Sequence, residues 1–207
     1  MPTSPPSPAD AHGSSPFRLR LATPGDGATI AALYDPYVRD TAISFELEPP
    51  DAAAMAARIE RTQERTPWVV AELDGVVRGY SYAGRWRERP AYDWTAESAV
   101  YVDRGFAGRG LGRATMAGLL GILRVQGFHG VVAGITPPNP ASVALHLALG
   151  FERVGLFDEV GWKLDAWHGV EWFRRVLSTD HAPAPIRPLP LIRESPEVRA
   201  ALAAAQP

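Results

Sequence analysis

Residues 104–113 read RGFAGRGLGR, placing four glycines and three arginines directly after the strand-like ESAVYV. Strand, glycine loop and helix start together offer backbone N–H groups and a positive helix end to an anion. Two nucleotide templates can be tested against the spacing. A Gly-x-Gly-x-x-Gly fingerprint begun at Gly108 and Gly110 needs a third glycine where Arg113 stands, and begun at Gly110 and Gly112 it needs one at Thr115. A P-loop begun at Gly105 and Gly110 needs Lys-Ser/Thr next, but Leu111-Gly112 follow. Both templates fail. A turn that only links strand and helix is the competing reading, and Arg109 and Arg113 favour a phosphate ligand over it. A second cluster, RWRERPAYDW, carries Arg85, Arg87, Arg89 and Tyr92. Guanidinium forks suit a carboxylate or phosphinate bidentately. A solvated basic loop explains any single arginine equally well.

The elements that must position these residues follow from periodicity. FRLRLAT reads as a strand. After TPGD, Ile30, Leu33, Tyr34 and Tyr37 fall on one helical face. Asp51 caps an alanine-rich helix running to about Arg65. PWVVAEL and VVRGYSYAG flank Asp74-Gly75, a two-residue type I′ hairpin. DWTAESAVYV is a further strand. Met116, Leu119, Leu120 and Leu123 form a helical stripe ending near Gly127. HGVVAGI is a strand, and Asn139-Pro140 opens a helix that Gly150 closes. FERVGLFDEV and GVEWFRRVL read as two final strands. The order β-α-α-β-β-β-α-β-α-β-β predicts a mixed α/β sheet with an antiparallel first half. Residues 1–16 are rich in Pro, Ser and Ala and predict a disordered tail. The Pro-rich stretch 179–207 predicts a disordered arm with a short helix capped by Ser195, packing of its Ile186, Leu189, Leu191 and Ile192 on the domain or a partner being the alternative, and leaves 17–178 as the domain.

Composition excludes several classes. The 207 residues are 46% hydrophobic with a net charge of -2, so no basic field favours nucleic acid. Cysteine is absent, which excludes disulfides, thiolate metal sites and a cysteine nucleophile and suits a cytoplasmic protein. No metal is expected. No apolar run approaches the roughly 20 residues of a membrane span, and the N-terminus does not read as a secretory signal.

Gly110 and Gly112 sit where the acetyl-CoA pyrophosphate loop of the GNAT N-acetyltransferase superfamily, Gln/Arg-x-x-Gly-x-Gly/Ala, has its small residues. Ala107 replaces the Gln or Arg. A second signature, Asn-x-x-Ala/Ser-x-x-x-Tyr-x-x-x-Gly-Phe, is matched by Asn139, Ser142, Gly150 and Phe151, with His146 at the tyrosine position. Together with AISFE, YDWTAESAVYV, PNPASVALHLALGF and GWKLDAWHGVEWF, the chain resembles the phosphinothricin acetyltransferase subfamily from Phe17 to Leu177. That resemblance implies a seven-stranded mixed sheet split in a V between strands four and five, flanked by about four helices, and a homodimer.

It also implies roles. Acetyl-CoA would lie along Val100, Tyr101 and Val102, on the turn Gly108, Arg109, Gly110, Leu111, Gly112 and Arg113, and against Asn139 and Ser142. Glu97 would be the general base and His146 the general acid. Phe45, Arg87, Arg89 and Tyr92 would line the acceptor site, while Lys163, Trp167 and His168 would serve the pocket or the dimer. Each has a plainer reading: a strand carboxylate in a salt bridge, a structural histidine, core valines, an N-cap asparagine. The acceptor implied is a small amino acid or analogue such as phosphinothricin, methionine sulfoximine or its sulfone. A protein N-terminus, a polyamine, an aminoglycoside or a non-catalytic CoA-binding regulator are the alternatives. A polyamine or aminoglycoside site should be acidic, and RWRER is not.

Overall fold

The computed structural model describes residues 17–180 and 182–206. The expected N-terminal tail lies outside them. Seven strands form one sheet: β1 (Arg18–Leu21), β2 (Trp68–Leu73), β3 (Val76–Arg85), β4 (Thr95–Val102), β5 (Gly130–Ile135), β6 (Glu152–Lys163) and β7 (Ala166–Val176), in the spatial order β1-β2-β3-β4-β5-β7-β6. β1 to β4 are antiparallel neighbours. β4 and β5 run parallel but pair only from Thr95 to Glu97 against Gly130 to Val132, so the sheet opens into a V beyond Glu97.

The helices α1 (Gly27–Arg39), α2 (Ala52–Gln63), α3 (Leu111–Gln126) and α4 (Pro140–Ala148) follow the predicted order. Asp51 caps α2, its carboxylate accepting from the Ala54 amide at 2.8 Å. Gly127, at φ 96°, ends α3, and Gly150, at φ 77°, follows α4. α1 and α2 cover one face, packing Ile30, Val38, Met55 and Ile59 on Trp68, Val70 and Tyr80. α3 covers the other, with Met116, Leu119, Ile122 and Leu123 against Val69, Val131 and Phe173. Each such buried side chain stabilises by roughly 1.5–3 kcal/mol.

Two features differ from the sequence reading. β6 and β7 extend further towards each other, closing through the two-residue turn Leu164-Asp165. The segment expected as a disordered arm instead packs on the domain, forming α5 (Leu189–Ile192) and α6 (Pro196–Ala204), the latter capped by Ser195 as the sequence predicts. Leu189, Ile192 and Val198 are buried there, and α6 lies against α3 and β1. Its prolines stop regular hydrogen bonding without preventing apolar contact.

Candidate active site

The opening of the V is a cleft of about 450 Å³. One wall is β4 from Ser98 to Val102, the other Gly134, Ile135 and Thr136 of β5 and the chain beyond it. The strands diverge after Glu97, so the β5-facing edge of β4 beyond it has no β5 partner. That edge can pair with an extended ligand.

The glycine turn closes one end. Gly108 and Gly110 have φ of 76° and 83°, conformations that a side chain rarely adopts. Gly110 is the N-cap residue of α3, so the unpaired amides of the first helical turn face the cleft. Gly112 is small for another reason: a Cβ there would lie 3.3 Å from Val102 Cγ2, so its absence lets the helix start sit on β4. Ala107, Gly108, Gly110, Leu111, Gly112 and Arg113 all line the cleft. Arg109 does not; its guanidinium lies over the Phe106 ring at 4.9 Å. Backbone donors, a helix start and Arg113 fit a pyrophosphate.

Asn139 and Ser142 border the same cleft. Asn139 Oδ1 accepts from the Ser142 amide at 3.1 Å and caps α4. That bond uses the side-chain oxygen and leaves the amide NH₂ for a ligand. His146 lines the cleft but is 2% exposed. Its Nδ1 is 2.8 Å from the Ser142 carbonyl, so Nδ1 carries the proton, and Nε2 is buried without a partner among the described residues. Burial lowers the His146 pKa, opposed by the Ser142 carbonyl. The ring packs edge-on to Phe151 at 4.9 Å.

Glu97 stands at the apex, the last residue of β4 paired with β5. Strand alternation sets it on the face of Tyr101, opposite Ser98. Burial raises its pKa, opposed by the charge of Arg87. Tyr82, on neighbouring β3, has its pKa pushed up to about 12, chiefly by burial, with smaller contributions from Glu46 and Glu97. Tyr82 pairs with Ala99, two residues on from Glu97 and on the same face of β4. Arg87 also lies 5.3 Å over the Trp86 ring, which Tyr92 meets edge-on at 5.2 Å. Arg89 is exposed at the start of the next turn. Phe45 is 38% exposed and sits over the β6–β7 hairpin rather than on the cleft wall, which its neighbour Ile43 lines.

The sequence reading missed Tyr37, whose hydroxyl donates to the Val102 carbonyl at 2.5 Å and which lines the cleft. Its place in the α1 apolar stripe disguised it. Gly134 was also missed; a glycine inside a strand is the signal that marked it.

A mixed sheet parted between two parallel strands, with an exposed strand edge leading to an anion-binding helix start, is built to hold a long phosphorylated thioester beside an acceptor. That is the arrangement of an acyl-CoA-dependent transferase. Residues 30–151 match the Acetyltransferase (GNAT) family. A phosphinothricin N-acetyltransferase of Streptomyces viridochromogenes is 40% identical over 174 residues, 84% of this chain and 95% of that protein. The L-methionine sulfoximine/L-methionine sulfone acetyltransferase of Salmonella typhimurium is 34% identical, over 80% of this chain and 97% of its own. A GNAT phosphinothricin acetyltransferase from Sinorhizobium meliloti, solved with acetyl-CoA, superposes with a TM-score of 0.77 at 33% identity, covering 84% of this chain and 97% of that one. The chain belongs to the GNAT acetyltransferase family. It is an N-acetyltransferase, and acetyl-CoA is its acetyl donor.

Proposed function

We propose that this enzyme acetylates the amino group of a small anionic amino acid or analogue, of the phosphinothricin or methionine sulfoximine type, with Glu97 as general base. The observation that carries the reading is the part-buried Glu97 at the apex of the V, the last residue of β4 paired with β5, within the field of the Arg87 charge. An amine attacks only when neutral, and an α-amino group has a pKa near 8. A carboxylate whose pKa is raised by burial is a better proton acceptor than a solvated one. Acetyl-CoA, held by β4, the glycine turn, Asn139 and Ser142, supplies an activated acetyl group. The unpaired edge of β4 near Val100 offers backbone N–H to the developing oxyanion. Arg87, with Arg89 and Tyr92 on the same loop, recognises the acceptor's anionic head. The names of the two relatives support this acceptor class.

His146 suits a positioning role better than a donor role. With Nδ1–H committed to the Ser142 carbonyl, donation from Nε2 requires an imidazolium, which burial opposes.

The working form is a homodimer. Val154, Leu156, Phe157, Val160, Trp162 and Trp167 on the β6–β7 edge hairpin are all exposed, an apolar surface that a second copy would cover. Sedimentation velocity on the protein checks this, and a monomer at micromolar concentration overturns it.

The test of function is thiol release from acetyl-CoA over a panel of amines. Turnover with phosphinothricin or methionine sulfoximine and none with polyamines is expected. Glu97→Gln should cut kcat by about a hundredfold or more while acetyl-CoA still binds. Near-normal turnover would remove Glu97 from the chemistry.

A further inference from the structure

The α1–α2 loop interlocks with the end of the β6–β7 hairpin, 119 residues further along the chain. Three consecutive loop residues are each held by a different partner. Lys163 Nζ donates to the Ser44 carbonyl at 2.6 Å. The Phe45 ring fills the space over Gly161, where a Cβ would come within 2.6 Å of three ring carbons, and it faces His168 with centroids 6.4 Å apart. Glu46 accepts from Arg58 at 2.6 and 3.0 Å and from the Tyr34 hydroxyl at 3.0 Å.

Neither Gly161 nor Lys163 is the residue that fold stability alone would choose. Glycine weakens a strand interior, and Gly161 is not among the residues of positive φ, so its backbone does not require it. Space for Phe45 does. Lys163 is 5% exposed, and burying an ammonium costs several kcal/mol unless it is well partnered. A methionine would fill the same volume without that cost. What the ammonium adds is a directional bond to one backbone carbonyl.

The loop held in this way borders the cleft. Ile43 lines the cleft, and Tyr34, which donates to Glu46 at 3.0 Å, packs its ring 4.8 Å from that of Tyr101, a cleft-lining residue of β4. We propose that Gly161 and Lys163 are positioning residues for acceptor specificity: Gly161 seats the Phe45 ring and Lys163 fixes the Ser44 carbonyl, so the hairpin sets the shape of the site that admits a small amino-acid acceptor. This assignment rests on the proposed function, with Ile43 carrying the loop's contact with the cleft and Phe45 seating that loop on the hairpin.

Gly161→Ala is a mild probe, because the clashing atoms belong to the outer end of a half-exposed side chain that can swing away. Lys163→Met removes the tether, and Lys163→Arg keeps a donor. Two measurements are made on each: amide hydrogen exchange of residues 41–48, and steady-state kinetics with each substrate varied. Gly161→Ala and Lys163→Met should speed exchange in the loop and raise the acceptor KM by about tenfold or more, since small misplacements of a substrate wall are costly. The acetyl-CoA KM should stay within about twofold, and Lys163→Arg should recover part of the loss. Unchanged exchange would refute the clamp. Faster exchange with an unchanged acceptor KM would refute the role in specificity. A wild-type protein that acetylates none of the amino-acid analogues would defeat the proposed function and this specificity role with it, while exchange alone still decides whether the clamp exists.

Discussion

At the scale of single residues, the chemistry turns on where two protons sit. Burial raises the Glu97 pKa above the ordinary 4.5, and the Arg87 charge pulls it back. The base works only when ionised, so kcat/KM falls as pH drops through that raised value. The acid limb of the profile therefore lies above the ordinary glutamate range. Arg87→Gln removes the opposing charge and should move the limb to still higher pH, besides raising the acceptor KM. A limb that stays put, or moves down, would separate Arg87 from Glu97. His146 makes the opposite case. Burial disfavours its charged form, its Nδ1 faces a backbone carbonyl, and its neighbours are Phe151 and Phe173. His146→Phe should leave single-turnover acetyl transfer within about fivefold of wild type, whereas loss of a true acid costs about a hundredfold or more. The sequence offered the tyrosine-position histidine as either acid or scaffold. What tips the balance is a hydrogen bond between positions four apart on one helix, which a motif does not report.

At the scale of elements, legibility followed whether the determinant was local. The Asp74-Gly75 hairpin could be read because its two turn residues both need positive φ, at 50° and 76°, and their types advertise it. The β6–β7 turn has the same demand at Leu164 and Asp165, at 51° and 56°, but Leu gives no such signal. Cross-strand pairs such as Trp162 with Trp167 hold that turn instead, so both strands read short. The glycine turn before α3 lies between these cases. Its existence was evident, but the distinct needs of its two signature glycines were not. Gly110 serves a positive φ, Gly112 a close approach to β4. Gly110→Ala should impose about 1–2 kcal/mol of backbone strain. A turn that relaxes from that strain misaims its amides, weakening acetyl-CoA binding by about tenfold, roughly 1.4 kcal/mol. Ala107→Gln, by contrast, should change affinity by less than about threefold, because backbone amides carry the anion site. Isothermal titration with acetyl-CoA distinguishes the two. Marked tightening in Ala107→Gln would mean that the side chain absent here matters.

At the scale of the whole molecule, the C-terminal segment is the feature that sequence reasoning judged by the wrong rule. Proline richness argued for disorder, but order here comes from tertiary contact. Leu189 is 0% exposed, while Leu191, two positions on in the same short helix, is 79% exposed. The segment is also tied by polar bonds spread over the fold: Gln126 Nε2 donates to the Arg65 and Arg187 carbonyls at 2.7 and 2.8 Å, the Trp94 indole donates to the Ala184 carbonyl at 2.7 Å, and the Leu19 amide donates to Gln206 Oε1 at 3.2 Å. Trp94 directly precedes β4, and Gln126 ends α3, so the segment braces the ends of two elements that form the cleft. A brace and a loose tail make opposite demands on two leucines. If the segment is part of the core, Leu189→Ala removes a fully buried side chain and costs about 2–5 kcal/mol in urea unfolding. Leu191→Ala, already in solvent, should stay within about 0.5 kcal/mol of wild type. Equal, negligible effects would return the segment to the status its prolines suggested. A large loss at Leu189 alone would make residues 182–206 an integral layer over α3, added to the sheet and four helices whose order the sequence had already disclosed.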